Sequence, residues 1–298
     1  MRNKLNIRGL YILLLIIITS CSRGDDNTIR IAYLPITHAL PLAEMSDVED
    51  VKVELVKYGS WPELLDALNT GRVDGASVLI ELAMKAKSQG IGLTTVALGH
   101  TDGNVIIVTS EAQNIASLKG KTFAIPHRAS SHYILLQKAL EKEGLSVTDV
   151  NIVEMSPPEM PSALSGGQIS GYCVAEPFGA VAIVSGKGRV LYRSEELWPH
   201  SICCGLVINN RSYKKKQQQM DRFIAEYKAA GKRLEDKSHA LQTARKILAQ
   251  PDGVLKQSLE WIDYTNLQVT REAYVILEEE VKKYGIIDNP PTYEDFIK

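Results

Sequence analysis

Two segments of this 298-residue chain repeat one another at a constant offset of 96 positions. Residues 60–78 (SWPELLDALNTGRVDGASV) align without a gap on residues 156–174 (SPPEMPSALSGGQISGYCV). Ser, Pro, Glu, Ala, Leu, two Gly and Val recur in register. The repeat favours two halves built on one plan, and the alternative is a coincidence between common helix caps.

The recurring residues predict a helix followed by a strand in each half. Ser60 and Ser156 are predicted N-caps, and Glu63 and Glu159 stand three positions later, as in a capping box. A proline in the first helical turn gives up only an N–H that has no helical partner. Gly71 and Gly167 predict a left-handed residue at the end of each helix. Gly75 and Gly171 predict the start of each following strand.

Strand-like runs alternate with helical patterns along most of the chain, and this alternation predicts parallel sheets covered on both faces. Residues 213–298 are mostly amphipathic helix, which we expect to pack on the first half. The predicted fold class is α/β, with two doubly wound lobes, a central cleft and C-terminal helices on lobe one. Crossings near Ile107–Ser110 and Cys204–Asn209 would form a hinge. The predicted units are 1–20 (signal peptide), 21–27 (tether), 28–107 with 207–298 (lobe one) and 108–206 (lobe two).

The N-terminus has the pattern of a bacterial lipoprotein signal. Arg2, Lys4 and Arg8 precede an uncharged apolar run, and the run ends at a cysteine, Cys21. The run is too short to span a bilayer as a helix. The residues before Cys21 resemble a lipobox, which implies cleavage and lipidation there and an anchored, extracytoplasmic protein. An ordinary signal peptide ending near a cysteine is the alternative.

The composition restricts the partners. A formal net charge of −1 gives no indication of a nucleic-acid partner, and we expect membrane contact only through the lipid anchor. The three further cysteines, Cys173, Cys203 and Cys204, are odd in number, which argues against a disulfide framework. Buried free thiols and a strained bridge between Cys203 and Cys204 both stay open. We expect a monomer.

Three segments carry a family resemblance: YCVAEPF at residues 172–178, SLKGKTFAIP at 117–126 and PPTYEDFI at 290–297. Together they resemble the substrate-binding proteins of ABC importers for nitrate, sulfonate, taurine and thiamine precursors. The resemblance implies a type-II periplasmic-binding-protein fold, capture of a small solute by lobe closure, and docking onto the permease and ATPase subunits of an importer. The solute would be a nitrate-, sulfonate- or bicarbonate-like anion or a planar thiamine-precursor-like compound.

Ligands of open α/β sheets bind beyond the carboxyl ends of strands. In both lobes this rule selects loops that are rich in histidine and hydroxyl groups, which suit a small polar solute. Arg128 beside a helix start would favour an anion, whereas Glu176 would accept a hydrogen bond or pair with Arg128. The predicted ligand-binding residues are Thr37, His38, Trp61, Ser77, His100, His127, Arg128, Ser131, His132 and Glu176. For Trp61, Arg128, Ser131 and Glu176, structural roles are the alternative.

We expect no catalytic residues, no cofactor and no structural metal site, because no HExxH or CxxC pattern is present. A metal ion shared by distant cleft loops stays open. An enzyme resembling thiamine-pyrimidine synthases is one alternative function, although only Cys203-Cys204 corresponds to the cysteine-rich iron motif of those enzymes. A receptor that feeds a sensor is the other alternative.

Overall fold

The computed structural model describes residues 27–45 and 47–298. The predicted signal peptide, Cys21 and nearly all of the predicted tether lie outside these residues. Within the described part of the chain, no helix is both long and apolar enough to cross a membrane.

The first five-stranded sheet has the order β2-β1-β3-β11-β4. Its central strands β1 and β3 are parallel, and β11 runs antiparallel to both β3 and β4. The sheet and the helices that cover it are called lobe one below. The strands are β1 (Thr28–Tyr33), β2 (Lys52–Lys57), β3 (Gly75–Leu79), β4 (Leu93–Leu98) and β11 (Cys204–Asn209).

The second five-stranded sheet has the order β10-β6-β9-β7-β8, and with its helices it forms lobe two. β7 is parallel to β8 and β9, while β6 is antiparallel to both β9 and β10. The strands are β6 (Asn104–Val108), β7 (Thr122–Ile125), β8 (Asn151–Glu154), β9 (Gly171–Ala175) and β10 (Arg189–Arg193). Two short strands, β5 (Thr101–Asp102) and β12 (Ile262–Asp263), pair separately.

Helices cover both sheets, and short 3-10 turns such as Thr37–Ala39 and Pro157–Glu159 lie between them. The helices are α1 (Leu40–Glu44), α2 (Trp61–Thr70), α3 (Ile80–Ser88), α4 (Ser131–Glu141), α5 (Met160–Ser165), α6 (Phe178–Val184), α7 (Ser194–Leu197), α8 (Asn210–Lys215), α9 (Gln217–Arg233), α10 (Lys237–Ile247), α11 (Asp252–Leu259), α12 (Arg271–Lys283) and α13 (Tyr293–Phe296).

The two-lobed α/β fold is confirmed, but the sheets are mixed rather than parallel. The strands that enter from the other lobe, β6 and β11, are the ones that run antiparallel to their neighbours. The chain therefore passes between the sheets before Asn104 and before Cys204. Both passages lie slightly earlier than the crossings expected from the sequence, because the apolar runs begin only inside the strands.

The C-terminal helices pack on lobe one as predicted and also reach lobe two. α9 and α10 contact α1, and α13 contacts β4. α11 packs against α6 of lobe two. Lys138 of α4 forms a 2.6 Å ion pair with Glu280 of α12, and both side chains are largely buried.

The repeat gives a helix followed by a strand in each half, but the predicted serine caps do not form. Gly71 (φ 75°) and Gly167 (φ 70°) are left-handed after α2 and α5, as predicted. The predicted capping boxes are wrong, since neither Ser60 nor Ser156 accepts a side-chain capping hydrogen bond. The Ser156 hydroxyl instead donates to the carbonyl of Gly59 in lobe one, over 3.1 Å.

Candidate functional site

The two lobes are joined at the ends of their central strands. Thr37 follows β1, and both its N–H and its hydroxyl donate to the carbonyl of Glu176, each over 2.9 Å. The hydroxyl of Tyr264 donates to the carbonyl of Thr37 over 2.7 Å. These three residues are buried, so the lobes are closed on one another.

Four side chains with metal-ligating atoms converge directly beside this contact. One donor atom from each of His38, His100, Cys203 and Cys204 lies within 4.8 Å of the others, and all four residues are buried. We call this set the four-donor cluster. The thiols are not joined in a disulfide.

Backbone pairing brings these distant residues together. The carbonyl of Cys203 accepts from the N–H of Ile80, at the start of α3, and the carbonyl of Cys204 accepts from the N–H of Gly99. Gly99 is required at this point, because a Cβ atom there would lie 2.5 Å from the carbonyl oxygen of His38. The close approach places His100 against His38, with ring centroids 3.5 Å apart.

The ring of His38 is oriented for ligation. Its Nε2 atom lies 3.3 Å from the carbonyl oxygen of Gly103, to which it donates, so the lone pair is on Nδ1. Nδ1 lies 3.4 Å from Sγ of Cys204 and 3.9 Å from Sγ of Cys203. Metal-ligating histidines commonly use the second ring nitrogen in this way, which fixes the tautomer.

The spacing of the donors fits a tetrahedral ion. A zinc ion with Zn–S bonds of about 2.3 Å and Zn–N bonds of about 2.0 Å keeps its sulfurs about 3.8 Å apart and its nitrogens about 3.5 Å from the sulfurs. The two Sγ atoms of Cys203 and Cys204 are 3.8 Å apart. The nitrogen–sulfur distances from His38, 3.4 and 3.9 Å, lie on either side of the ideal value.

The electrostatics also suit a metal. Burial, and secondarily the charge of His100, lower the pKa of His38 to about 4, so the ring is neutral near pH 7. Burial raises the pKa of the Cys204 thiol. For Cys203 burial acts in the same direction, but hydrogen bonding from Cys204 and the charge of His132 outweigh it and hold the pKa well below its usual range.

Three further buried groups surround the cluster. The ring nitrogens of His132, both carboxylate oxygens of Glu81 and the hydroxyl of Ser131 have no hydrogen-bond partner in the described residues. Glu81 lies near Ser131, and its pKa is raised well above the usual value by burial and then by the charge of Cys203. Buried polar atoms normally have partners, so these groups indicate a place for a bound solute.

The other predicted residues have different surroundings. Trp61 and Ser77 are buried in lobe one, Trp61 in the apolar core and Ser77 in the strand ladder opposite Leu206. His127 accepts a local hydrogen bond from Ala129. The guanidinium group of Arg128 donates to the carbonyl of Ile152 and lies over the ring of Tyr133, 5.9 Å from its centroid.

Arg128 and Glu176 do not pair as the sequence suggested. Arg128 is exposed, whereas Glu176 is buried and its Oε2 accepts from the N–H of Ala180 over 3.0 Å. The cap of α4 is also one residue earlier than proposed. The Ser130 hydroxyl, not that of Ser131, accepts from the N–H of Tyr133, which leaves Ser131 at the interface.

Sequence reasoning missed Cys203, Cys204 and Glu81 as site residues. Glu81 comes four positions after Ser77, a residue that the strand-end rule selected. The cysteines stand at the second lobe crossing, a position that signals proximity to a cleft. Their partners His38 and His100 were predicted, but only the backbone pairing brings the four together.

A family model described as the NMT1-like family matches residues 22–249. The chain belongs to the NMT1-like family. Among solved structures, the ligand-binding component of an ABC-type import system from Staphylococcus aureus, with zinc bound, is 38% identical to this NMT1-like protein. That match covers 91% of this chain and 96% of the other, with a TM-score of 0.87.

Two other similar proteins are named for the small solutes that they bind. The taurine-binding periplasmic protein of Escherichia coli (strain K12) is 30% identical over 147 residues, which cover 49% of this chain and 45% of that protein. The alkanesulfonate-binding protein SsuA from Xanthomonas axonopodis pv. citri, bound to MOPS, has a TM-score of 0.78 over 91% of this chain and 98% of that chain. At 20% identity, this second likeness shows the fold alone.

The taurine-binding protein and the Staphylococcus aureus import component are thus binding proteins by name, and the structural neighbours of this NMT1-like protein share the periplasmic-binding-protein fold. The chain spans less than two thirds of the length of curated relatives that it matches, for example 64% of one and 30% of another.

Proposed function

We propose that this protein is the solute-binding component of an ABC importer and that its solute is a thiophilic divalent cation of the Zn²⁺ class, bound by the four-donor cluster. The observation that carries the proposal is the convergence of two histidines and two cysteines, with donor atoms within 4.8 Å of one another, in the closed interface between the lobes. The zinc bound to the Staphylococcus aureus relative supports it.

Charge balance favours a divalent ion. Two cysteine thiolates and two neutral histidines around Zn²⁺ give a site with no net charge, which a buried interface tolerates far better than an unpaired ion. Mg²⁺ and Ca²⁺ require oxygen ligands in larger number, and thiolates do not suit them. A monovalent copper ion would leave one negative charge buried.

A small anion is the solute class that the resemblance implied, and the taurine- and sulfonate-binding relatives support it. The residue expected to bind its charge was Arg128, whose guanidinium is held by Ile152 and Tyr133 at the surface. The donors that do converge are soft nitrogen and sulfur atoms, which favour a metal cation over an anion.

The remaining parts of the proposal concern the cell. We propose that lipidated Cys21 anchors a monomeric, extracytoplasmic protein, which delivers its ion to permease and ATPase subunits and has no catalytic role. Thr37 and Glu176 would contribute to lobe closure. His132 and Ser131 would face the bound ion from lobe two.

Competition titrations with a chromogenic chelator test the solute. We expect one Zn²⁺ ion per chain, no competition from Mg²⁺ or Ca²⁺, and no heat when taurine or nitrate is added to the metal-free protein. His38→Ala should weaken Zn²⁺ binding by about 100-fold or more, because loss of a residue that merely supports a metal ligand already costs about 10- to 100-fold. The matched control is His127→Ala, which removes a predicted binding residue outside the cluster and should bind as the unsubstituted protein does.

An uptake experiment tests the transport role. Deleting the protein should reduce accumulation of radioactive zinc at low external concentration, and His38→Ala should not restore it. Normal uptake in the deletion strain, combined with altered zinc-dependent transcription, would favour a receptor for a sensor. Tight binding of a small anion without Zn²⁺ would overturn the choice of solute.

A further inference from the structure

The edge of lobe one that faces away from the four-donor cluster holds a separate cavity. β1 and β3 run toward the cluster, so their first residues lie at the opposite edge of the sheet. At this edge a cavity of about 640 Å³, called the distal cavity below, is lined by β1, by the segments that follow α2 and α3, and by α8. This volume is within the range of small-molecule sites. The charged lining residues are Arg30, Asp74, Arg211, Lys215 and Lys216.

Two of the four cations in the distal cavity are already paired. The ammonium group of Lys216 lies 3.0 Å from the carboxylate of Asp74, and both side chains are largely buried. The guanidinium group of Arg30 lies 3.2 Å from the carboxylate of Glu54, where both side chains are half exposed. Each pair is neutral, so the charge of the distal cavity comes from the other two cations.

Arg211 and Lys215 give the distal cavity an uncompensated positive charge. Both are exposed residues of α8, and neither side chain has an ion pair or a hydrogen bond within residues 27–45 and 47–298. They are four positions apart in one helix, so their side chains lie on the same face. Two cations on one face of a cavity favour a negatively charged ligand, and a phosphate group accepts hydrogen bonds from both Arg and Lys.

The chain enters lobe one directly beside the distal cavity. Lys216 donates to the carbonyl of Thr28 over 2.6 Å, and the side-chain amide of Gln219 lies 3.5 Å from the side-chain oxygen of Asn27. Cys21 stands six positions before Asn27, and six fully extended residues span at most about 22 Å. A lipid on Cys21 therefore keeps this edge of lobe one close to the bilayer, while the four-donor cluster stays at the opposite edge of the sheet.

We propose that the distal cavity binds the phosphate group of an anionic lipid headgroup through Arg211 and Lys215, so that lobe one rests on the membrane that holds its anchor. The inference rests on the proposed lipidation of Cys21 and not on the metal solute. It adds a headgroup contact to the anchor contact that we expected from the net charge, because a chain total of −1 conceals a local excess of positive charge. Each Lys or Arg near an anionic surface strengthens such a contact about fivefold.

The anchor favours a lipid headgroup over a free phosphate ion, although the two offer the same chemistry. A tethered protein meets the headgroups around its anchor at a high effective concentration, so even a weak contact with them is populated. A free ion has no such advantage.

The neighbouring acidic residues determine how lobe one is tilted. Asp47, Glu49 and Asp50 precede the outer strand β2, on the other side of β1 from the distal cavity. An anionic surface repels these carboxylates and attracts the cations of α8. Lobe one should therefore contact the bilayer through α8 rather than through β2.

The mature lipoprotein in lipid vesicles provides the test. Hydrogen exchange followed by mass spectrometry measures the protection of residues 88–93 and 209–216, which include most of the lining of the distal cavity. The vesicles contain phosphatidylcholine alone or an equal mixture of phosphatidylcholine and phosphatidylglycerol. We expect slower exchange in both segments only in the anionic vesicles. High salt should remove the difference, because it screens exposed charges.

A double variant tests the two free cations. Arg211→Gln with Lys215→Gln should weaken the headgroup contact about 25-fold, so exchange should become the same in both kinds of vesicle. The matched control is Lys121→Gln with Lys187→Gln, which removes two exposed charges from lobe two and should keep the protection. Circular dichroism checks that both double variants are folded.

Three results would overturn the inference. They are equal protection in neutral vesicles, protection that persists in the folded Arg211→Gln, Lys215→Gln variant, and equal protection by inorganic phosphate added to neutral vesicles. The last result would make the distal cavity a site for the free ion. A mature protein whose intact mass shows no lipid on Cys21 refutes the proposed anchoring instead, so the two failures are distinguishable.

Discussion

The Nδ1 atom of His38 lies 3.4 Å from the Sγ atom of Cys204, although the two residues are 166 positions apart in the chain. The contact joins the loop after the first strand to the segment that re-enters lobe one near the end of its sheet. Two soft donor atoms brought together across this distance in a buried site are typical of metal coordination rather than of core packing.

Cys204→Ser should therefore reduce Zn²⁺ affinity by at least 100-fold. A serine hydroxyl keeps its proton near pH 7 and is a poorer ligand for a borderline-soft ion, while the change in side-chain volume is small. Chelator competition measures the dissociation constants. Cys173→Ser is the matched control, since Cys173 is also a buried free thiol but lies outside the cluster, and it should leave the affinity unchanged.

Metal removal should lower the thermal stability. A ligand that binds only the folded state at 100 times its dissociation constant adds about 2.7 kcal/mol to the free energy of unfolding. For a chain of this length, that corresponds to a rise in Tm of about 4 °C. Scanning calorimetry with Zn²⁺ and with excess chelator checks the shift. An equal rise in a Cys203→Ser, Cys204→Ser double variant would place the ion elsewhere.

The hydrogen bonds from Thr37 to Glu176, which join the two lobes, should contribute to Zn²⁺ affinity without contacting the ion. Thr37→Val keeps the shape and the backbone N–H bond to Glu176 but removes the 2.9 Å hydroxyl bond. Loss of about 1 kcal/mol from the closed state should weaken Zn²⁺ binding about fivefold. Thr70→Val is the control, because the Thr70 hydroxyl bonds only within α2. Similar losses of Zn²⁺ affinity in both variants would contradict a role for the hydrogen bond between Thr37 and Glu176.

The repeat predicts the architecture because each recurring residue has a local cause. The left-handed φ of Gly71 and Gly167 follows from the absence of a Cβ atom, so both helix ends were predictable. The antiparallel direction of β6 and β11 was not, because strand direction depends on which lobe the chain comes from. The predicted cap at Ser156 was wrong for a related reason, since the Ser156 hydroxyl donates to the carbonyl of Gly59 in the other lobe.

The sequence likewise predicts some residues of the candidate site and not others. The rule that ligands lie at strand ends selected His38 and His100, which belong to the four-donor cluster, and His132, which is buried in lobe two. It also selected Arg128, whose side chain is bound at the surface of lobe two by neighbours that no local pattern reveals. The cluster itself needs Cys203 and Cys204, and their proximity to His38 arises only when β11 pairs between β3 and β4.

Glu176 should make the stability of the metal-free protein depend on pH. Burial raises the pKa of Glu176 to about 7, whereas an unfolded chain has a Glu pKa of about 4.3. A raised pKa means that the folded state binds the proton more tightly, so the stabilisation is complete below about pH 4.3 and is lost as pH rises through about 7. The difference between the two pKa values corresponds to a loss on the order of 3 kcal/mol.

Glu176→Gln removes this titration and keeps an acceptor for the N–H of Ala180. Urea unfolding in excess chelator, from pH 4.5 to about 9, should show the variant gaining stability relative to the unsubstituted protein as the pH rises to about 8, and little further gain above that pH. Glu143→Gln, at an exposed position, should follow the unsubstituted protein throughout. A constant difference between Glu176→Gln and the unsubstituted protein across this range would mean that the carboxyl is ionised in the folded state at every pH tested, and that its burial does not favour the neutral form.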